Sequence, residues 1–196
     1  MSKAKKIKPS KRDLIELGVI LSIFAIIYFT GSQAEVFGKV QQAVLYTGVM
    51  NAGELDDQAK QPADYNFKLM NEGGELVDVQ TFKGKSIFMN LWATWCAPCI
   101  AEMPGINSLY DKIGQNESVV FLMIFEDKDF NKAKEWVKEK GFTFPIYKIA
   151  TTLPEVYETY VVPSTFVISK EGEIIVKKVG MANYDTRRFR KLLTEE

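Results

Sequence analysis

The chain has 196 residues, enough for one domain of ordinary size plus an appendage. It is 46% hydrophobic and 26% charged, and its 25 basic residues balance 25 acidic ones, so nothing in its charge points to nucleic acid. It contains no histidine, which excludes Ser-His-Asp and Cys-His catalysis, histidine-ligated metals and CxxCH haem attachment.

Residues 1–12, MSKAKKIKPSKR, carry six Lys or Arg and no acid, and residues 1–13 are expected to form a basic cytoplasmic N-terminus. LIELGVILSIFAIIYFT follows, Leu14 to Thr30, with Glu16 as its only charge. As a helix it would measure about 25 Å, near the lower limit for a bilayer core of roughly 30 Å. Residues 14–33 are therefore expected to be a single transmembrane anchor or a signal segment. Basic residues ahead of the apolar run keep the N-terminus inside and place everything after Thr30 outside the cytoplasm. The small residues Ser32 and Ala34 leave cleavage after Ala34 open as the alternative. Against it stands the run itself, longer than a usual signal-peptide core of about 7–15 residues.

Residues 34–64 read as an amphipathic helix and a linker. EVFGKVQQAVLYTGVM, 35–50, spaces Val36, Val40, Ala43 or Val44, and Met50 at helical intervals. NAGELDDQAKQPAD, 51–64, is polar and punctuated by Gly53 and Pro62. From 65 to 196 the pattern is that of a domain. NFKLMNEGGELVDVQTF predicts a hairpin turning at Asn71-Glu72-Gly73-Gly74. SIFMNLW, 86–92, is an apolar run suited to a strand covered on both faces. A helix is predicted from Ala97 to about Ile113, with Pro98 tolerated in its first turn and Pro104 kinking it. SVVFLMIFE predicts a second buried strand over 118–126, and NKAKEWVKEKG a helix over 131–141 ending at a glycine. FPIYKI predicts a strand and TTLPEVYETY a short helix. STFVIS and EIIVKKVG predict a hairpin, and NYDTRRFRKLL a closing helix. The fold class is α/β: a central mixed sheet flanked by helices.

The chain's two cysteines both lie in LWATWCAPCIAEMP, three positions apart. A disulfide between Cys96 and Cys99 closes so short a loop that it pins almost nothing. A closed zinc site needs four ligands, and two thiolates without histidine do not supply them. A redox role has positive support, because Cys96 falls where strand 86–92 hands over to the helix. There, unpaired N–H groups and the positive end of the macrodipole favour a thiolate. Cys96 is then the nucleophile, and Cys99, one turn further in, the shielded resolving thiol.

FMNLWATWCAPCIAEMP resembles the active-site segment of the TlpA/ResA-like, membrane-anchored thiol-disulfide oxidoreductases of the thioredoxin superfamily. The resemblance spans about Tyr65 to Glu196 and is supported by VVPSTFVI, where Val162-Pro163 matches the family's cis-proline position. It implies a thioredoxin-like fold and a cis peptide before Pro163, which lies beside the cysteines and helps to exclude metal. It also implies that the backbone of Val162 pairs with an extended substrate. Trp95 and Pro98 shape the site. Asn90 stands where cytosolic thioredoxins place a buried acid, and Glu102 fits the subgroup's CxxExP pattern as a carboxylate able to carry a proton for Cys99. Glu126 is a weaker candidate of the same kind. The segment between Gly141 and Tyr160 resembles the subgroup's strand-and-helix insertion.

No cofactor is implied beyond the redox-active Cys96–Cys99 pair. The resemblance implies a bacterial cell membrane protein with one span and its catalytic domain in the periplasm or outside the cell. Substrates would be exported proteins carrying disulfides, apocytochrome c being the family's best-known case. A membrane thiol transporter of the DsbD/CcdA type would donate electrons. Ala97-Pro98 adds neither charge nor imidazole, so Cys96 is expected to have a pKa nearer the ~7 of thioredoxin than the ~3.5 of a strong oxidant, which favours reductase direction. A peroxiredoxin-like peroxidase would need a PxxxTxxC setting that is not present. A copper carrier of the Sco type would use CxxxC and a histidine.

Overall fold

The computed structural model describes residues 10–30, 33–45, 51–53 and 60–195; side chains at 13, 23–30, 33–37 and 40 lie outside that description. The basic stretch 1–9, Ser32, residues 46–50 and residues 54–59 of the expected linker also lie outside it. The chain falls into two compact units, 1–33 and 34–196.

In the first unit, helix α1 runs Lys11–Thr30 and so contains the expected apolar segment. Among the described residues, no helix is long and apolar enough to cross a membrane.

The second unit opens with helix α2, Gln33–Leu45. Of the apolar positions spaced along this stretch, Ala43 and Val44 are exposed, and the side chains of Val36, Val40 and Met50 lie outside the description. Gly38 and Leu45 are buried, Gly38 through close approach rather than side-chain hydrophobicity. Without a Cβ, Gly38 brings the helix against the Ala97 carbonyl and the Ile100 side chain.

Among the described residues, eight strands form one mixed sheet: β1 Gln61–Pro62, β2 Lys68–Asn71, β3 Leu76–Asp78, β4 Ser86–Trp92, β5 Val119–Phe125, β6 Ile146–Ile149, β7 Ser164–Ile168 and β8 Glu173–Val179. Their order is β1-β8-β7-β4-β5-β6-β2-β3. Helix α3 (Ala97–Ile113) connects β4 to β5, and α4 (Phe130–Lys140) connects β5 to β6; both strand pairs are parallel. The β7–β8 hairpin and the β4–β7 pairing are antiparallel. Helix α5, Arg187–Glu195, ends the described chain.

Every residue of β4 is buried, and alternation sends its side chains into two cores. Phe88 and Trp92 join Met103, Ile106 and Leu109 of α3, Val137 of α4 and Phe189 of α5. Ile87, Met89 and Leu91 join Tyr65, Phe67, Val79 and Tyr157 on the opposite face. Asn90 has the parity of Phe88 and Trp92, so it faces α3.

Three segments depart from the sequence reading. The expected linker contributes β1, whose two residues pair with Ile174 and Glu173 at the sheet edge, a position that tolerates Pro62. TTLPEVYETY forms only one 3₁₀ turn, Glu155–Tyr157, because Pro154 and Glu158 on either side are extended and Tyr157 is buried against Phe67 and Phe166. The last helix begins at Arg187 rather than in NYDT, because the Thr186 hydroxyl accepts the Phe189 N–H and caps it.

Candidate active site

Chain geometry alone puts Cys96 at the head of α3. It is the N-cap residue with an extended backbone, and its Sγ accepts the Cys99 N–H at 3.2 Å. Its carbonyl accepts the Ile100 N–H at 3.0 Å and so starts the helical ladder. Pro98 sits in the first turn, where a missing N–H costs no intrahelical bond. The Cys99 N–H, another group without an intrahelical partner, is the one aimed at the reacting sulfur.

Cys96 and Cys99 are joined as a disulfide with Cα atoms 5.2 Å apart. Cys96 is 4% exposed and Cys99 fully buried, so a partner meets Cys96 first. Trp95, immediately before it, is 61% exposed. Across from the pair, the Val162–Pro163 peptide is cis, and Pro163 is buried. The Val162 carbonyl oxygen lies 3.5 Å from Cys96 Sγ. The predicted residues Trp95, Cys96, Pro98, Cys99, Val162 and Pro163 thus come together at the junction of β4, α3 and the loop before β7.

Glu102 lies one helical turn beyond Cys99 and is buried. Its Oε1 accepts from Asn90 Nδ2 at 2.8 Å and its Oε2 from the Ala182 N–H at 3.2 Å. Asn90 and Thr165 are register partners on β4 and β7, and Asn90 Nδ2 also donates to Thr165 Oγ1 at 2.8 Å. Tyr184 donates its hydroxyl to the same Oγ1 at 2.7 Å. Burial pushes the Glu102 pKa up to about 8, against the opposing pull of the Asn90 and Ala182 hydrogen bonds and the Lys178 charge. The carboxyl is therefore mostly protonated at neutral pH. Glu126, just past β5, is exposed and its N–H donates to the Trp92 carbonyl; partial desolvation raises its carboxyl pKa as well, the same direction as for Glu102.

Sequence reasoning missed Thr165, Tyr184 and the Ala182 amide. Their only common feature is spatial, although TF in STFVI does place a hydroxyl opposite Asn90 once β4 and β7 are paired.

The Redoxin family model matches residues 57–193. The thiol-disulfide oxidoreductase ResA of Bacillus cereus strain ATCC 10987 / NRS 248 is 33% identical over 139 residues, covering 69% of this chain and 78% of the relative. The ResA of a second Bacillus cereus strain is 32% identical over 116 residues, covering 59% of this chain; the match spans 66% of that relative's length. Among solved structures, StoA from Bacillus subtilis superposes with a TM-score of 0.52 at 26% identity, covering 62% of this chain and 93% of that one. The chain belongs to the Redoxin family and stands among the TlpA/ResA-like thiol-disulfide oxidoreductases of the thioredoxin superfamily.

Proposed function

We propose that the chain is a membrane-tethered reductase of protein disulfides working outside the cytoplasm. One observation carries the chemical part of this reading: a helix N-terminus aims an N–H at Cys96 while Cys99 is sealed behind it. In the reduced protein, that N–H and the helix dipole stabilise the Cys96 thiolate. The thiolate attacks one sulfur of a substrate disulfide, forming a mixed disulfide and expelling the second substrate sulfur, which takes a proton. Cys99, losing its proton, attacks Cys96 Sγ; the Cys96–Cys99 bond closes and the first substrate thiol leaves. Two electrons pass to the substrate. Glu102, one turn from Cys99 and with its pKa raised to about 8, is assigned that thiol's proton: its ionised form, the minority at pH 7, takes it from the buried sulfur. Trp95, Pro98 and Pro163 shape the site, and the Val162 backbone aligns an extended substrate segment.

The direction of electron flow rests on Ala97-Pro98, which adds no charge to stabilise the thiolate. The location rests on the six basic residues preceding the apolar stretch of α1. In that setting the pair must be re-reduced across the membrane, which calls for a thiol transporter of the DsbD/CcdA type. Exported proteins with disulfides, including apocytochrome c in cytochrome c maturation, are the substrate class.

The reduction potential of the Cys96–Cys99 couple tests the direction. It is measured on the full chain in detergent, equilibrated against dithiothreitol or glutathione buffers. A value below about −220 mV is expected, and one well above about −180 mV would make the protein an oxidant or isomerase.

A further inference from the structure

Residues 60–195 leave five large apolar side chains exposed: Leu76, Trp95, Tyr160, Val161 and Val179. Three of them, Trp95, Tyr160 and Val161, belong to the segments that flank one sulfur, whereas Val179 shares the sheet face of Leu91, away from the cysteines. Trp95 precedes Cys96 in the chain. Tyr160 and Val161 lead into Val162, whose carbonyl approaches Cys96 Sγ at 3.5 Å. Val179 stands opposite Ser164 at the end of β8. Tyr160 is 102% exposed, so its ring makes almost no contact with its own protein.

That exposure does not reflect a loose loop. The Thr159 hydroxyl accepts the Val161 N–H at 3.2 Å. The Ser164 hydroxyl donates to the Val161 carbonyl at 2.7 Å, and the two hydroxyls lie 3.1 Å apart. Tyr160 therefore rides at the apex of a loop tied across its base. On the far side, the Pro163 carbonyl is held by the Gly180 N–H at 2.8 Å. An aromatic side chain that buries nothing in the free protein, carried on a tied backbone and with only two χ angles to fix, costs little to order on binding.

We infer that Tyr160 is a specificity-determining residue, seating an apolar side chain beside the cysteine of an extended substrate segment. The inference rests on the disulfide-reductase reading and adds a preference to it. The occupant follows from the chemistry of the site. Any substrate in mixed disulfide with Cys96 lies against Val162, and the residues next to its cysteine then meet Trp95 on one side and the Tyr160–Val161 apex on the other. Charged or small flanking residues leave those surfaces wet. Aromatic or large aliphatic ones bury them.

The test uses the full chain in detergent, reduced beforehand and freed of reductant, in a single turnover against two short cyclic peptides. Each peptide is closed by one disulfide; its cysteines are flanked by Phe in the first and by Ser in the second. Acid quenching and thiol alkylation give the rate at which peptide thiols appear and Cys96–Cys99 closes. The wild-type chain is expected to reduce the Phe peptide about tenfold faster. Tyr160→Ala is expected to bring the ratio below about twofold, and Tyr160→Phe to keep it, since the ring rather than the hydroxyl makes the contact. Equal rates for the two peptides in the wild type, or a ratio that survives Tyr160→Ala, overturns the inference. Failure to reduce either peptide overturns the reductase reading beneath it.

Discussion

Gly38 of α2 lies so close to Ala97 that a Cβ built on it would stand 3.0 Å from the Ala97 carbonyl oxygen and 3.1 Å from Ile100 Cγ2. The backbone of the active-site turn cannot yield as a flexible side chain would. Alanine in a helix interior gains up to about 1 kcal/mol over glycine. At position 38 the contact outweighs that gain, so Gly38→Ala is expected to lower stability. Gly105, inside α3 with open space around its Cα, is the control: Gly105→Ala is expected to raise stability by about 0.5–1 kcal/mol. Urea denaturation of the two variants checks the opposite signs.

The pH dependence of stability should carry the mark of Glu102. Its carboxyl ionises near 4.5 when unfolded and at about 8 when folded, so between those values the folded state holds the additional proton. The resulting stability is complete below about pH 4.5 and is lost as pH rises towards 8, at about 1.4 kcal/mol per pH unit. Glu102→Gln cannot titrate, and its stability should stay flatter over the same range. Parallel denaturation curves for the two proteins from about pH 5 to pH 8 would contradict this.

Asp185 ties α5 to α3, accepting from Ser108 at 2.7 Å and pairing with Lys112 and Arg190. Burial alone would raise its pKa, but the hydrogen bonds from Lys112 and Ser108 and the two cationic charges outweigh it and hold the carboxyl below its usual range. The stability it contributes is present above the unfolded pKa and disappears as pH falls through the folded one. Asp185→Asn is expected to cost about 1–3 kcal/mol near neutral pH, with the gap narrowing in acid, as thermal unfolding across pH would record.

The unequal burial of the two sulfurs predicts unequal variants. Cys99→Ser leaves the outer sulfur of Cys96 intact and should accumulate a mixed disulfide with substrate, visible as a band sensitive to reducing agent. Cys96→Ser should accumulate none. Equal trapping by both would reverse the assignment of nucleophile and resolving thiol.

Where information is local, the sequence is a sufficient guide. β4 and α3 occupy the residues their pattern predicts, 86–92 and 97–113, because an unbroken apolar run and a capped, proline-started helix are decided within a few neighbours. The thiol pair is legible for the same reason: its spacing is its chemistry. What escapes is decided at a distance. Nothing near Tyr184 announces that it meets Thr165, and the Thr186 cap that releases it from the final helix looks, in sequence, like part of that helix. β1 is hidden by Pro62, which only an edge position excuses. The close approach of α2 at Gly38 follows from a missing side chain, which a search for apolar spacing overlooks.

The row of groups behind the disulfide also has a direction. With Glu102 ionised, Asn90 Nδ2 points its protons at both Glu102 and Thr165, while Thr165 Oγ1 receives from Asn90 and Tyr184 and Asn90 Oδ1 has no partner. A protonated Glu102 must itself give a proton, and the idle Asn90 oxygen can take it if the amide turns over. Thr165 then gives where it had received, and Tyr184, Thr165 and Asn90 form one head-to-tail file. The same set of atoms thus supports two hydrogen-bond arrangements: one proton, arriving far from solvent, turns over the Thr165–Asn90 and Asn90–Glu102 bonds while Tyr184 goes on donating to Thr165.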